Sequence, residues 1–468
     1  MATSARAAGT DVIDPPINVD PPAAERQLGV TMATALIVGN MIGAGIFLLP
    51  ALLAPFGANA IYAWGITIGG ALFLAATFAL LSARIEGGPF VYVEQAFGRE
   101  IAFVVMWSYL ISVWTALAIL PIAAVSNLSH IAPALGAPIV APAVSILLLW
   151  LMWLVNASGA RAAGAMQVVT TVLKSLPLIV ILVIAAIYLG RGIPPADQSH
   201  VQTSGGQIAA AAALCLFSML GVECAAVSTD KVKDPHRTIP IASVLGPAIT
   251  GGIYVGVTWA IFYLLPSAQA AKSPSPFADA AQPFLGSFAG SAIAAFAAIS
   301  ALGCLNGWTL CAGEIPLKLA RDGALPPWFG KTTGRGTPVR AQIVACAVAS
   351  LLVASNYSRS LAGLFEFITL ISVVSTLVLY VGCSAGALKL LADGRIKSGL
   401  LGVYAAIGLA FSLWAFWGAG LEPSLWGLAL VATGIPVWLA VRRSRRLAVS
   451  STSPRLAAAR AAPPGSSS

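Results

Sequence analysis

Apolar residues run along this chain in long unbroken blocks, with polar residues gathered between them. No Asp, Glu, Lys or Arg occurs between Gln27 and Ala83, and an uncharged apolar run of about 20 residues already spans a bilayer core. Twelve such segments are visible, at about 29 to 54, 60 to 83, 101 to 128, 137 to 159, 162 to 190, 206 to 229, 241 to 267, 284 to 313, 341 to 358, 361 to 388, 399 to 419 and 424 to 441. At about 1.5 Å per residue, each can cross the ~30 Å hydrocarbon core as a helix. Strands of a membrane barrel would alternate over segments of about ten residues. The pattern therefore predicts an all-α membrane protein of twelve transmembrane helices.

Two spans are interrupted at matching points. The first carries GNMIGAG at Gly39 to Gly45, the sixth carries FSMLGVE at Phe217 to Glu223, and each heads a set of five. Glycine leaves a helix free to unwind at such a point. Paired breaks in two halves of a membrane protein point to inverted repeats with a binding site at the midplane. Close helix packing through small residues is the alternative origin of such glycines. The repeats would cover about 29 to 190 and about 206 to 388, with two extra helices at about 399 to 441.

The flanks differ from this membrane domain of 28 to 441. Residues 1 to 27 are acidic and proline-rich, and 442 to 468 turn from RRSRR to Ser, Pro and Ala. Neither can bury enough apolar surface to order itself, so both are expected to be disordered tails. An even number of spans puts them on one side. With that side cytoplasmic it holds 22 of the 26 Lys and Arg, the outer loops hold only Arg191, Lys272 and Arg359, and Lys174 lies inside a span. This is the positive-inside distribution. It accounts for the net charge of +9 without a nucleic-acid partner.

Composition narrows the chemistry. Only 9% of residues are charged, against roughly 25% in soluble proteins. The six Cys all fall in apolar stretches and there are three His, so neither a metal site nor a cofactor is expected. An unwound backbone at membrane depth exposes N–H and C=O groups that need partners. Half-helix ends suit a zwitterion: N–H groups near Ala44, Gly45 and Ile46 for a carboxylate, carbonyls near Met41, Phe217 and Leu220 for an ammonium. The expected ligand is an amino acid or a derived amine.

The sequence resembles the amino acid-polyamine-organocation transporter superfamily, and within it the bacterial arginine/agmatine antiporter branch. The likeness runs from about Gly39 to Ala440. It rests on GNMIGAGIFLLP, GGPFVYVEQAFG at 87 to 98, GVECA at 221 to 225, KDPHRTIP at 233 to 240, GCLNGWTLCAGE at 303 to 314, and ARDGALPPWF with GTPV between 320 and 339. The resemblance implies ten helices in two inverted five-helix repeats, the LeuT-like arrangement, plus two more. It implies that a substrate carboxylate meets Gly43, Ala44 and Gly45, that Trp308 covers the substrate side chain, and that Tyr109, Glu223 and Tyr380 gate the inner side. Trp308 could instead be an interface anchor like most of the twelve Trp, and Glu223 could merely cap the helix break.

Departures from the pattern bear on the substrate. Ala44 stands where that branch has Ser, Phe217 where it has Trp, and Leu117 where it has an Asn that meets a guanidinium; Ser112 and Ser372 still offer hydroxyls. A buried polar head left unpaired costs about 1 to 3 kcal/mol, which counts against arginine itself. Lys174 replaces an apolar residue and is similar to the span-five lysine of relatives in which it occupies a sodium position and takes part in proton coupling. Desolvation disfavours the charged form of a buried lysine and lets a proton come and go. The other possibility is a lysine that ties spans one, five and eight through carbonyls. Either way sodium is unnecessary.

The expectation is a sodium-independent amino acid transporter of the bacterial inner membrane, not an enzyme, with both termini cytoplasmic and working by alternating access. It is expected to be of the basic amino acid/polyamine antiporter type. The rivals are a proton-coupled neutral amino acid permease, then a non-transporting nutrient receptor or a channel. Partners are the small-molecule substrate and membrane lipid, and a homodimer is compatible with the sequence.

Overall fold

A computed structural model describes residues 29–158, 160–198, 201–221, 234–333, 336–355 and 360–443. Among the described residues the regular structure is entirely helical. The first apolar segment forms two short helices, α1 (Val30–Met41) and α2 (Ala44–Leu53). Then follow α3 (Asn59–Ser82), α4 (Pro89–Phe97), α5 (Arg99–Ile131), α6 (Val140–Ala157), α7 (Ala160–Gly190) and α8 (Gly205–Ser218). The second half holds α9 (Pro235–Leu264), α10 (Pro276–Arg321), α11 (Val339–Ser355), α12 (Leu361–Ala392), α13 (Gly399–Gly418) and α14 (Leu421–Ala432). Nine helices among the described residues are long and apolar enough to cross a membrane; shorter apolar helices occupy the first, sixth and ninth segments. The tails expected at 1 to 27 and 442 to 468 lie outside the described residues, except that Arg442 and Arg443 close the last helical stretch.

Helix ends follow from local chemistry. Ser204, Ser360 and Ser398 each accept a hydrogen bond from the backbone N–H three residues on, at 3.3, 3.2 and 3.4 Å, which satisfies one of the orphan donors of a helix start. Within the spans, hydroxyls turn back onto their own helix: Thr77 donates to the Phe73 carbonyl, Ser145 to Ala141 and Ser412 to Gly408, at 2.8, 2.8 and 2.7 Å. With no water at that depth, this disposes of the polar atom locally.

α5 is the central element, buried on nearly all sides and packed chiefly against α10 and α12. α10 also packs along α7, and α1 along α9. Between the spans, α4 is clasped to the far end of α10: Lys318 Nζ donates to the Gly87 carbonyl at 3.2 Å, and the Arg99 guanidinium donates to the Asp322 carbonyl while lying 3.4 Å from Glu94. Two of the sequence stretches that carried the resemblance, 87 to 98 and 320 to 339, are thus joined in space. The twelve tryptophans divide into buried, half-buried and exposed ones. Trp64, Trp107 and Trp114 are buried, and only Trp259, Trp328, Trp417 and Trp426 are exposed. Trp64 and Trp107 use their indole N–H to bind Thr258 and Thr433 across helices at 3.1 and 3.3 Å, a use of the ring's polar edge that an interface anchor does not need.

Candidate functional site

The helix of each glycine-bearing segment stops where its residues suggested, and the sixth segment beyond Gly221 lies outside the described residues. α1 ends at Met41, Ile42 and Gly43 are extended, and α2 restarts at Ala44. α8 ends at Ser218, and Gly221 takes a φ of 109°, which side chains rarely adopt. The first break needs glycine because other helices press on it. A Cβ on Gly43 would lie 2.4 Å from Cys304 Sγ, and one on Gly45 would lie 2.5 Å from Ser218 Oγ and 3.3 Å from the Phe217 ring. Phe217 is itself held edge-on against Phe365 of α12, with ring centroids 6.2 Å apart.

The two breaks face one cavity. From the first span it is lined by Met41, Gly43 and Gly45, and from the end of α8 by Phe217, Ser218 and Leu220. Ala116 and Leu120 of α5 close one side, Cys304 and half-buried Trp308 of α10 another. The enclosed space is about 20 Å³, room for little more than one water, so a ligand the size of an amino acid requires these helices to part. α2 starts without a side-chain cap, and the first N–H groups of a helix have no partner within it. Combined with the positive end of the helix dipole, they suit an anion. The amino acid permease family model matches residues 28–440.

The chain belongs to the amino acid permease family. Its relatives include the cadaverine/lysine antiporter of Escherichia coli (strain K12), 32% identical over 366 residues, covering 76% of this chain and 82% of the relative. The putrescine transporter PotE of the same organism is 27% identical over 418 residues, 88% of this chain and 95% of the relative. The putrescine transporter PotE of Haemophilus influenzae is 28% identical over 425 residues, 88% and 96% of the two chains. Family and relatives are transporters, so the permease is a multi-pass membrane transporter and not an enzyme.

In this permease two of the carbonyls that end α1 already have partners. Lys174 of α7, only 2% exposed, donates from Nζ to the Gly39 carbonyl, and Tyr254 of α9 donates its hydroxyl to the Met41 carbonyl at 2.6 Å. A cation at the negative end of α1 is favourable, and each bond satisfies an acceptor that the helix itself leaves open. Of the carbonyls expected to await an ammonium, that of Met41 therefore already has one partner, and that of Phe217 accepts the Leu220 N–H at 3.2 Å. A carbonyl has a second lone pair, so neither is closed to a ligand.

Not every anticipated residue reaches the cavity. Met41, Gly43, Gly45, Phe217, Leu220 and Trp308 line it, and Ala44 opens α2 between the two glycines. Ser112 and Ser372 do not: their hydroxyls lie 3.3 Å apart, Ser112 also meets Thr376 at 2.5 Å, and Ser372 donates to the Ser112 carbonyl at 3.1 Å. They bind α5 to α12. Tyr109 and Tyr380, on the same two helices, are buried at 2% and 0% exposure and are not among the residues that line the cavity. Glu223 lies outside the described residues.

Several residues around the site were not anticipated. Tyr254 gave no signal beyond being one of nine Tyr, because its partner lies in a distant span. Asn156 of α6 donates to the Asn306 side chain at 2.9 Å and to its carbonyl at 3.2 Å. That pair fastens α6 to α10 two residues before Trp308. Asn306 stands in the GCLNGW stretch, which was the available hint. Among the described residues no cluster of His, Cys, Asp and Glu is arranged to hold a metal.

Proposed function

We propose that this permease is a sodium-independent antiporter that exchanges a cationic amino acid for a diamine by alternating access. The observation that carries the reading is the cavity between two helix breaks, with the uncapped start of α2 on one side and Trp308 on another. Opposed helix ends accept a carboxylate and an ammonium together. The names of the relatives, a cadaverine/lysine antiporter and putrescine transporters, supply the substrate class. Gly43, Ala44 and Gly45 hold the carboxylate, Trp308 covers the side chain, and Met41, Phe217 and Leu220 complete the site. Ser112 and Ser372 couple the site to α12, Tyr109, Glu223 and Tyr380 gate its inner side, and Lys174 carries proton coupling.

The proposed architecture has twelve spans, inverted repeats at about 29 to 190 and about 206 to 388, and two extra helices at about 399 to 441. It sits in the bacterial inner membrane with both tails, 1 to 27 and 442 to 468, in the cytoplasm; the 22 to 3 division of basic residues supports that orientation. Lipid surrounds the domain, and a homodimer is compatible with it.

A proton-coupled neutral amino acid permease is the second reading, favoured by the apolar face that Ala116 and Leu120 give the cavity. Proteoliposomes decide between them. Liposomes loaded with cadaverine or putrescine should drive uptake of labelled lysine, without sodium, faster than empty ones. Uptake of alanine or leucine with a proton gradient, and none of lysine, refutes the antiporter reading. A thermal-shift screen against amino acids and polyamines finds the substrate independently, since ligand that binds only the folded state raises its stability.

A further inference from the structure

Ser218 is the last residue of α8, 3% exposed, and its hydroxyl has no hydrogen-bond partner among the described residues. Other buried serines in the spans, such as Ser145 and Ser412, turn their hydroxyls back to the carbonyl four residues earlier. Ser218 forgoes that bond, as do buried Ser300, Ser375 and Ser384 among the described residues, but of these four it alone lines the cavity. It lines the cavity between the breaks, and its Oγ would lie 2.5 Å from a Cβ on Gly45. The hydroxyl therefore sits at the edge of the cavity, directly against the first turn of α2, a helix of ten residues with no side-chain cap. Leaving a buried hydroxyl unpaired is costly, and so is leaving helix-start N–H groups unpaired. One ligand group repairs both.

We infer that the Ser218 hydroxyl donates to the substrate's carboxylate together with the first N–H groups of α2, and that it lets the site distinguish an amino acid from the diamine formed by losing that carboxyl. This deepens the antiporter reading and rests on it. The positive end of α2 disfavours a cation, so an ammonium gains little there, whereas a carboxylate gains donors from both sides. Position 44 is alanine, which has no hydroxyl to add, so among the described residues that line the cavity Ser218 of α8 carries the side-chain hydroxyl. An amino acid uses both ends of the site. A diamine leaves the Ser218 end unused, and its affinity does not depend on that hydroxyl.

The test compares L-lysine and cadaverine binding to the full-length purified protein by ligand-induced thermal shift, for wild type, Ser218→Ala and Ser218→Cys. Loss of a hydrogen bond to a charged group should weaken lysine about tenfold or more, while cadaverine changes by less than about twofold. Ser218→Cys keeps the side chain's shape with a slightly larger, weakly donating thiol, so it should follow alanine; it carries the comparison alone if the alanine variant does not fold. Equal weakening of both ligands, or of neither, when wild type binds both, overturns the inference. If wild type binds neither ligand, the substrate reading falls instead. The amino acid that does stabilise the protein is then compared with its decarboxylated amine, and that ratio decides the role of Ser218.

Discussion

Gly43 tests whether the first break is held open by contact with α10 or by backbone freedom. Its φ of −134° and ψ of −150° lie outside the left-handed region, so the backbone does not demand glycine. Space does: a Cβ there would lie 2.4 Å from Cys304 Sγ and 3.1 Å from Cys304 Cβ, against an ordinary contact of about 3.5 to 4.0 Å. The 2.4 Å contact with the sulfur is the severe one, while the 3.1 Å contact asks for a shift of only a few tenths of an ångström, so Gly43→Ala must displace the Cys304 sulfur or push α10 away from the break. Overpacking of this kind costs about 1 to 3 kcal/mol. Cys304→Ala removes the sulfur and should cost about 1 kcal/mol or less by itself. The double variant should then recover much of the loss, with a coupling of roughly 1 to 2 kcal/mol in thermal or denaturant unfolding of the purified protein. If Gly43→Ala unfolds like wild type, or if Cys304→Ala gives no relief, close packing is not why position 43 is glycine.

Three further outcomes follow from the site. Trp308→Ala should weaken substrate binding at least about tenfold while the ligand-free protein unfolds near the wild-type temperature; unchanged affinity for every transported amine would remove Trp308 from the site. Tyr254→Phe deletes the donor to the Met41 carbonyl and should lower stability by about 1 to 2 kcal/mol, with unaltered unfolding as the contrary result. Lys174→Ala should lose accumulation driven by a proton gradient yet keep exchange at equal substrate concentrations, and replacing sodium with an organic cation should leave wild-type uptake unchanged. Sodium-dependent wild-type uptake would refute that role.

How far the fold could be read from sequence differs by feature. Each of the twelve apolar segments contains helix, since blocks of hydrophobic residues need no partner to be recognised. Their limits were harder to read, because caps and turns set a helix end while hydropathy marks only the lipid. The eighth segment was expected at 284 to 313, yet α10 runs from Pro276 to Arg321 with a bend at Gly286, where φ is 81°. Both breaks were legible because glycine marks them in the sequence, at Gly221 through a positive φ and at Gly43 and Gly45 through the close approach of other helices. Facing was not legible where a helix is apolar all round: α5 is buried on nearly every side, so no periodicity told that Ser112 meets Ser372 and Thr376 rather than the cavity. Tyr254 and Ser218 escaped notice because their roles depend on residues in other spans, Met41 and Gly45.

The contact between Lys174 and the Gly39 carbonyl also bears on energetics. A dissolved ion at the end of α1 would leave and return, and its concentrations on the two sides of the membrane would enter the occupancy of the site. Lys174 is tethered through its side chain to α7, so its local concentration is constant whatever the medium contains. No ion gradient can do work through a cation that never departs. On the proposed coupling, only a proton remains exchangeable at that position.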